Sequence, residues 1–86
     1  MTSKIRVLIV DDSLLMRRLL TEILGGAPDI EVAGAAGDAA SARKMLFSTH
    51  PNVITLDVKM PGTDGLAILA EIMRERPTPV VMVSYF

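Results

Sequence analysis

The sequence contains no cysteine and no tryptophan, and its aromatic complement is one tyrosine and two phenylalanines. Without cysteine there are no disulfides, no thiolate metal sites and no cysteine nucleophile, a composition that fits a reducing compartment such as the cytoplasm. With a single histidine, His50, no second imidazole is at hand for a histidine-based metal site, and its place beside Pro51 reads as a turn. Charge of one sign is lacking as well, since nine Lys and Arg stand against ten Asp and Glu for a net charge of −1. A chain so balanced carries no electrostatic footprint for nucleic acid or for an anionic membrane surface. No apolar run approaches the ~20 residues of a membrane-spanning helix. The N-terminus, Met1-Thr-Ser-Lys4 before a short apolar run, lacks the form of a secretory signal.

What is present is aliphatic. Half of the 86 residues are hydrophobic, drawn mainly from Ala, Leu, Ile, Val and Met, which points to one small globular domain with an interleaved helix and strand core. One stretch organises the rest. Val53-Ile-Thr-Leu56 is an apolar run that delivers a single carboxylate, Asp57, to its C-terminal end, just before Met60-Pro61-Gly62-Thr63. Ile5 to Val10 meets Asp11-Asp12 in the same way. Each run is too short for a helix and, apart from Arg6 and Thr55, continuous enough to be buried on both faces, as parallel strands are.

Between these strands Ser13 is a good N-cap for a helix from Leu14 to about Leu24, with Leu15, Leu19, Ile23 and Leu24 as its apolar positions. Gly25-Gly26 should close it in the left-handed conformation that a C-cap favours. Ile30 to Ala36 reads as an edge strand. Asp38 caps a second helix whose small apolar face, Ala39, Ala42, Met45 and Leu46, suits close packing on a sheet. After the third strand, residues 60–63 are expected to form a loop in which Pro61 restricts and Gly62 frees the backbone. Asp64 then caps a third helix with Leu66, Leu69, Ile72 and Met73 on one face, and Pro79 to Ser84 is a fourth short strand. The pairs Arg17-Arg18 and Arg43-Lys44 read as solvated helix faces, and the methionines as core filler.

Strands separated by helices of this length form right-handed crossovers, hence an α/β doubly wound parallel sheet with helices on both faces. The carboxyl ends of such strands share one edge, which gathers Asp11, Asp12, Asp57 and Ser84 where open α/β sheets bind ligands. Three aspartates crowded there repel one another unless a cation is present, and Mg2+, held by one or two carboxylates with water and phosphate oxygens, resolves the strain. An Asp carboxylate in such a site can itself be the nucleophile of a phosphoryl transfer. The residues taken alone lead to an acidic magnesium site on an α/β sheet, with phosphate chemistry as one option. An aspartyl-phosphate phosphatase would carry D-x-D-x-[TV] at the first strand, a spacing that Asp11-Asp12-Ser13 does not have.

Three stretches together go further. Val7-Leu-Ile-Val-Asp-Asp-Ser13, Leu56-Asp-Val-Lys-Met-Pro-Gly-Thr-Asp-Gly65 and Pro79-Val-Val-Met-Val-Ser84 resemble the consecutive signatures of the receiver domain of two-component response regulators. The fourth strand and its preceding Pro77-Thr-Pro79 are most similar to receivers of the chemotaxis methylesterase type. The resemblance implies a flavodoxin-like sheet, here (βα)3β with strand order 2-1-3-4, and a cytoplasmic regulatory module rather than a metabolic enzyme. It implies Asp57 as the phospho-acceptor, supplied by a sensor histidine kinase or a small phosphodonor. Asp12 directly, Asp11 through water, Asp57 and the backbone carbonyl of Lys59 would hold Mg2+, Ser84 would be the switch hydroxyl, and Pro61 and Gly62 would belong to the loop beside the site.

The family pattern continues with a fourth helix, a fifth strand ending in a phosphate-pairing lysine, and a fifth helix, so residues 1–86 are expected to be a single receiver domain without that C-terminal third. Lys59, in the loop directly after Asp57, does not take that lysine's place. Two expectations follow: impaired or absent phosphorylation as the alternative reading, and self-association through the exposed apolar edge of the fourth strand.

Overall fold

The computed structural model describes residues 3–60 and 63–83, with Thr63 and Asp64 described through their backbone. The element order is β1 (Ile5–Val10), α1 (Leu14–Gly25), β2 (Ile30–Ala36), α2 (Ala39–Thr49), β3 (Val53–Asp57), β4 (Lys59–Met60), β5 (Thr63–Asp64), α3 (Gly65–Glu75) and β6 (Val80–Val83). Four strands pair in parallel in the order β2-β1-β3-β6, the expected 2-1-3-4 arrangement once the two-residue strands are set apart. No helix among the described residues is long and apolar enough to cross a membrane.

Alternation along the strands sorts the core. Leu8, Val10, Ile54 and Leu56 face α2 and α3 and pack with Ala42, Leu46, Ile68 and Ile72 in one buried cluster. The intervening residues Val7 and Ile9, also buried, point to the face that α1 covers. Small residues let α2 lie close to β2: a Cβ at Gly34 would stand 3.1 Å from Met45 Sδ, opposite a register irregularity between Val7 and Leu8. Ser13 and Asp38 cap α1 and α2 as expected, accepting from the backbone N–H of Met16 and of Ser41.

Several local expectations are corrected. The helix α1 does not end in a left-handed residue: Gly26 has φ −77° and ψ −14°, and the last carbonyls are met by Gly26 N–H on Glu22 and Ala27 N–H on Leu24. The left-handed residue is His50, φ 48°, at the C-terminus of α2. At residues 60–63, expected as a loop, Met60 pairs with Thr63 and Lys59 with Asp64 in a short antiparallel ladder; α3 begins at Gly65, directly after Asp64, whose expected capping side chain lies outside the described residues.

The helix faces differ from expectation on α3 and on α1: on α3 Leu66 and Met73 are exposed, and Ile68 joins Ile72 in the core with Leu69 against them. On α1 Leu15 and Ile23, expected to be buried, are 75% and 60% exposed, and Leu19 is exposed with them. The stripe turned toward the sheet is Ser13, Met16, Arg17, Leu20 and Leu24, all half-buried. The helix packs over β1 and β2, while α2 and α3 occupy the opposite face, so no described element covers the outer leucines.

Arg43 is likewise not a merely solvated residue. Its guanidinium bridges α2 to α3 through Glu71 at 3.1 Å and Glu75 at 2.7 Å. Because the Arg43 side chain is itself more than half exposed, Arg43→Ala is expected to cost only about 0.5–1 kcal/mol and to cost less as salt rises. Urea unfolding at low and high ionic strength measures both; a loss independent of salt would mean that packing of the Arg43 stem, not charge, is what matters.

Candidate functional site

The site follows from register. Val10 pairs with Leu56 across adjacent parallel strands, so the next residues, Asp11 and Asp57, are delivered side by side at the carboxyl edge of the sheet. Asp12 follows at the start of the β1–α1 turn. One carboxylate oxygen from each of Asp11, Asp12 and Asp57 lies within 4.8 Å of the others. Asp11 and Asp57 are almost fully enclosed, 1% and 3% exposed, and Asp12 is open to solvent. The pairing of Asp57 with Val83 brings β6 to the same edge. Ser84, Pro61 and Gly62 lie outside the described residues.

Backbone amides orient the two buried acids. Ser13 N–H donates to Asp11 Oδ1 at 2.9 Å and Lys59 N–H donates to Asp57 Oδ1 at 2.9 Å, each from two residues ahead. Asp11 Oδ2 is buried and has no hydrogen-bond partner. Burial pushes the Asp11 carboxyl up from its ordinary range, and the neighbouring Asp57 and Asp12 add to that, while the Ser13 amide and the Arg17 guanidinium oppose it. A buried carboxylate oxygen without a donor, beside two further carboxylates, is the donor set of a hard divalent cation, and an all-oxygen set of this kind fits magnesium.

The start of α3 closes the site from behind. A Cβ on Gly65 would fall 2.7 Å from Val58 Cα and 2.9 Å from the Asp57 carbonyl oxygen, so only glycine allows the helix to approach the backbone that carries Asp57. Sequence reasoning reached all three acids and missed Arg17 and Gly65. Arg17 donates from a guanidinium nitrogen to the Asp11 carbonyl at 2.8 Å. Its position four residues after the Ser13 cap, on the stripe that also holds Met16 and Leu20, was the signal for it.

Residues 7–86 match the family model of the response regulator receiver domain. The chain belongs to this family. As a receiver domain it is 59% identical over 86 residues to protein-glutamate methylesterase/protein-glutamine glutaminase 1 of Dechloromonas aromatica (strain RCB), a match that covers 100% of this chain and 25% of that protein. The crystal structure of the response regulator domain of Thermotoga maritima CheB superposes with a TM-score of 0.88 at 44% identity, covering 94% of this chain and 60% of that one. The CheX-CheY-BeF3-Mg complex from Borrelia burgdorferi gives a TM-score of 0.81 at 31% identity, covering 98% of this receiver and 64% of that chain. The receiver described here thus spans about a quarter of the length of the methylesterase that it matches. The flavodoxin-like parallel sheet and the likeness to chemotaxis methylesterase receivers agree with what the sequence motifs imply.

Proposed function

We propose that this receiver is a phospho-acceptor module of cytoplasmic two-component signalling, taking a phosphoryl group on Asp57 from the phosphohistidine of a sensor kinase or from a small phosphodonor. The observation that carries the reading is the grouping of Asp11, Asp12 and Asp57 within 4.8 Å around a buried Asp11 oxygen with no partner. Asp11, Asp12, Asp57 and the backbone carbonyl of Lys59 are the residues that would hold Mg2+. The metal supplies neutralisation of the charge gathered on the transferring phosphoryl oxygens.

The protein's own share is positional. The Lys59 amide fixes the Asp57 carboxylate at the end of β3, and the surrounding core keeps it from rotating away. A carboxylate oxygen of Asp57 attacks phosphorus, the P–N bond of the phosphohistidine breaks, and its electron pair returns to the imidazole; the product is an acyl phosphate on Asp57. Ser84, one residue beyond Val83, is assigned the hydroxyl that answers the phosphoryl group, and Pro61 and Gly62 the loop beside it. The BeF3 and Mg of the Borrelia complex are consistent with the same site chemistry in a related fold. Control of a methylesterase would be the output, by analogy with the relatives that carry a further three quarters of chain.

The test is beryllofluoride with magnesium. The unmodified chain is expected to bind it, seen as new resonances in fluorine NMR, and Asp57→Asn is expected to abolish that binding while remaining folded. Failure of the unmodified chain to bind at millimolar magnesium would leave a second reading, a self-associating module with an idle acid site. That reading is favoured by β6, which pairs only with β3 among the described residues and exposes Val81 and Met82. Light scattering decides it, since a strictly monomeric chain at high concentration excludes it.

A further inference from the structure

We propose that Arg17 is a positioning residue of the acidic site: its guanidinium latches the β1–α1 turn to the β2–α2 turn and so aims the Asp11 carboxylate at the place where magnesium binds. The proposal rests on the functional reading above, and it gives work to a residue that the sequence pattern assigns to a solvated face.

Asp11 is held at three of its four polar atoms. Its N–H donates to the Ala36 carbonyl at 3.0 Å, its Oδ1 accepts from Ser13 N–H at 2.9 Å, and its carbonyl oxygen accepts from Arg17 Nη1 at 2.8 Å. The atom left over is Oδ2, buried and without a partner. With the peptide groups on both sides of the Cα pinned, the carboxylate has little freedom to turn, and the unpartnered oxygen is presented rather than free to swing. Removing the Arg17 anchor releases the carbonyl side of that clamp.

The second half of the latch is Gly37. A Cβ built there would stand 2.7 Å from Arg17 Nη1, 3.2 Å from Cζ and 3.5 Å from Nη2, so the guanidinium occupies the space that any larger residue's side chain would take. Arg17 also lies in the field of Asp38, the cap of α2, as well as in that of Asp11. One side chain from α1 therefore reaches across both turns at the carboxyl edge of β1 and β2. Because the obstructing atoms at Gly37 belong to the far end of a flexible side chain, Gly37→Ala should fold and displace the guanidinium while leaving its charge nearby.

This geometry separates positioning from simple charge. If Arg17 acted only as a counter-ion to the three carboxylates, deleting it would remove a competing cation and magnesium would bind more tightly. If it positions Asp11, deletion weakens magnesium binding, by about tenfold on the scale typical of groups that orient metal ligands. The signs are opposite.

The experiment titrates MgCl2 into the full metal-free chain by isothermal titration calorimetry, at a temperature where each variant is folded, for Arg17→Met, Arg17→Lys and Gly37→Ala. The dissociation constant is expected to rise about tenfold in Arg17→Met and Gly37→Ala, with partial rescue in Arg17→Lys, whose ammonium can reach the carbonyl but cannot span to Gly37. Amide hydrogen exchange without metal should show loss of protection at Asp11 N–H in the first two variants, with Ile54 N–H, bonded to Pro79 across the sheet, unchanged. Unchanged or tighter magnesium binding in both Arg17→Met and Gly37→Ala overturns the proposal even if the wild type binds normally. Absence of magnesium binding by the wild type overturns the site reading and this proposal with it. If Arg17→Met does not fold, Gly37→Ala and Arg17→Lys decide the matter: both keep a cation at residue 17, so charge alone leaves the magnesium dissociation constant unchanged, which overturns the proposal, whereas positioning raises it.

Discussion

Gly65→Ala is expected to lose about 3 kcal/mol of folding stability, at the upper end of what overpacking typically costs. The added methyl would meet Val58 Cα at 2.7 Å, the Asp57 carbonyl oxygen at 2.9 Å and Val58 carbonyl carbon at 3.2 Å. All of these are backbone atoms inside or just beyond a buried strand, so neither side can yield by turning a side chain. The first turn of α3 must move away from β3, which opens Ile68 and Ile72 toward water and loosens the strand end that carries Asp57. A domain of this size has only on the order of 4–13 kcal/mol in total, so the loss is a large share of it. Urea unfolding followed by circular dichroism measures it. A cost below about 1 kcal/mol, the range of a tolerated swap, would show that α3 can shift without penalty.

The second large effect is an inversion of pH dependence by magnesium. Burial, with Asp57 and Asp12 adding to it, holds the Asp11 carboxyl above its ordinary value of 3.8 in the metal-free fold. An acid whose pKa is higher folded than unfolded contributes stability that is fully present below the unfolded value and is lost as pH rises through the folded one. Metal-free protein should therefore weaken, relative to Asp11→Asn, as pH rises from about 4 toward neutrality. Asp38 runs the other way, because the Ser41 N–H holds its carboxyl below the ordinary range. Its contribution is present above 3.8 and disappears only as pH falls below that, so the two windows do not overlap. Magnesium held as proposed would bind the ionised acids, so its affinity would grow with pH, and at one hundred times its dissociation constant it would add about 2.7 kcal/mol. Thermal unfolding across this pH range, with and without magnesium, should show the slope change sign in the wild type and stay nearly flat in Asp11→Asn. An identical pH profile for the two proteins in metal-free buffer would show that burial and the neighbouring acids do not hold the Asp11 carboxyl above its ordinary value.

Much of this site was legible because strands announce their own ends. Apart from Arg6 and Thr55, Ile5–Val10 and Val53–Leu56 are apolar runs, and the acids that stop them mark the carboxyl edge whatever the tertiary details. The caps Ser13 and Asp38 were equally local, since a cap hydrogen-bonds three residues along its own chain. The face of α1 was not legible. Leu15, Leu19 and Ile23 form an apolar stripe as good as the neighbouring Met16, Leu20 and Leu24, and which stripe meets the sheet depends on where the helix lies over β1 and β2. The Arg17-Arg18 pair misled for the same reason: one arginine of the two is carried inward by that placement, the other outward.

By itself, then, the amino-acid order determined the succession of three helices and the four strands of the main sheet, the parallel sheet itself and the three acids at its edge, because hydrophobic period and chain direction are properties of neighbours along the chain. Tertiary structure alone decided which acid oxygen is buried without a partner, that Arg17 rather than solvent meets the Asp11 carbonyl, and that residue 65 has no room for a side chain. Those are distances between segments that the chain brings together only on folding, and no spacing within one segment encodes them.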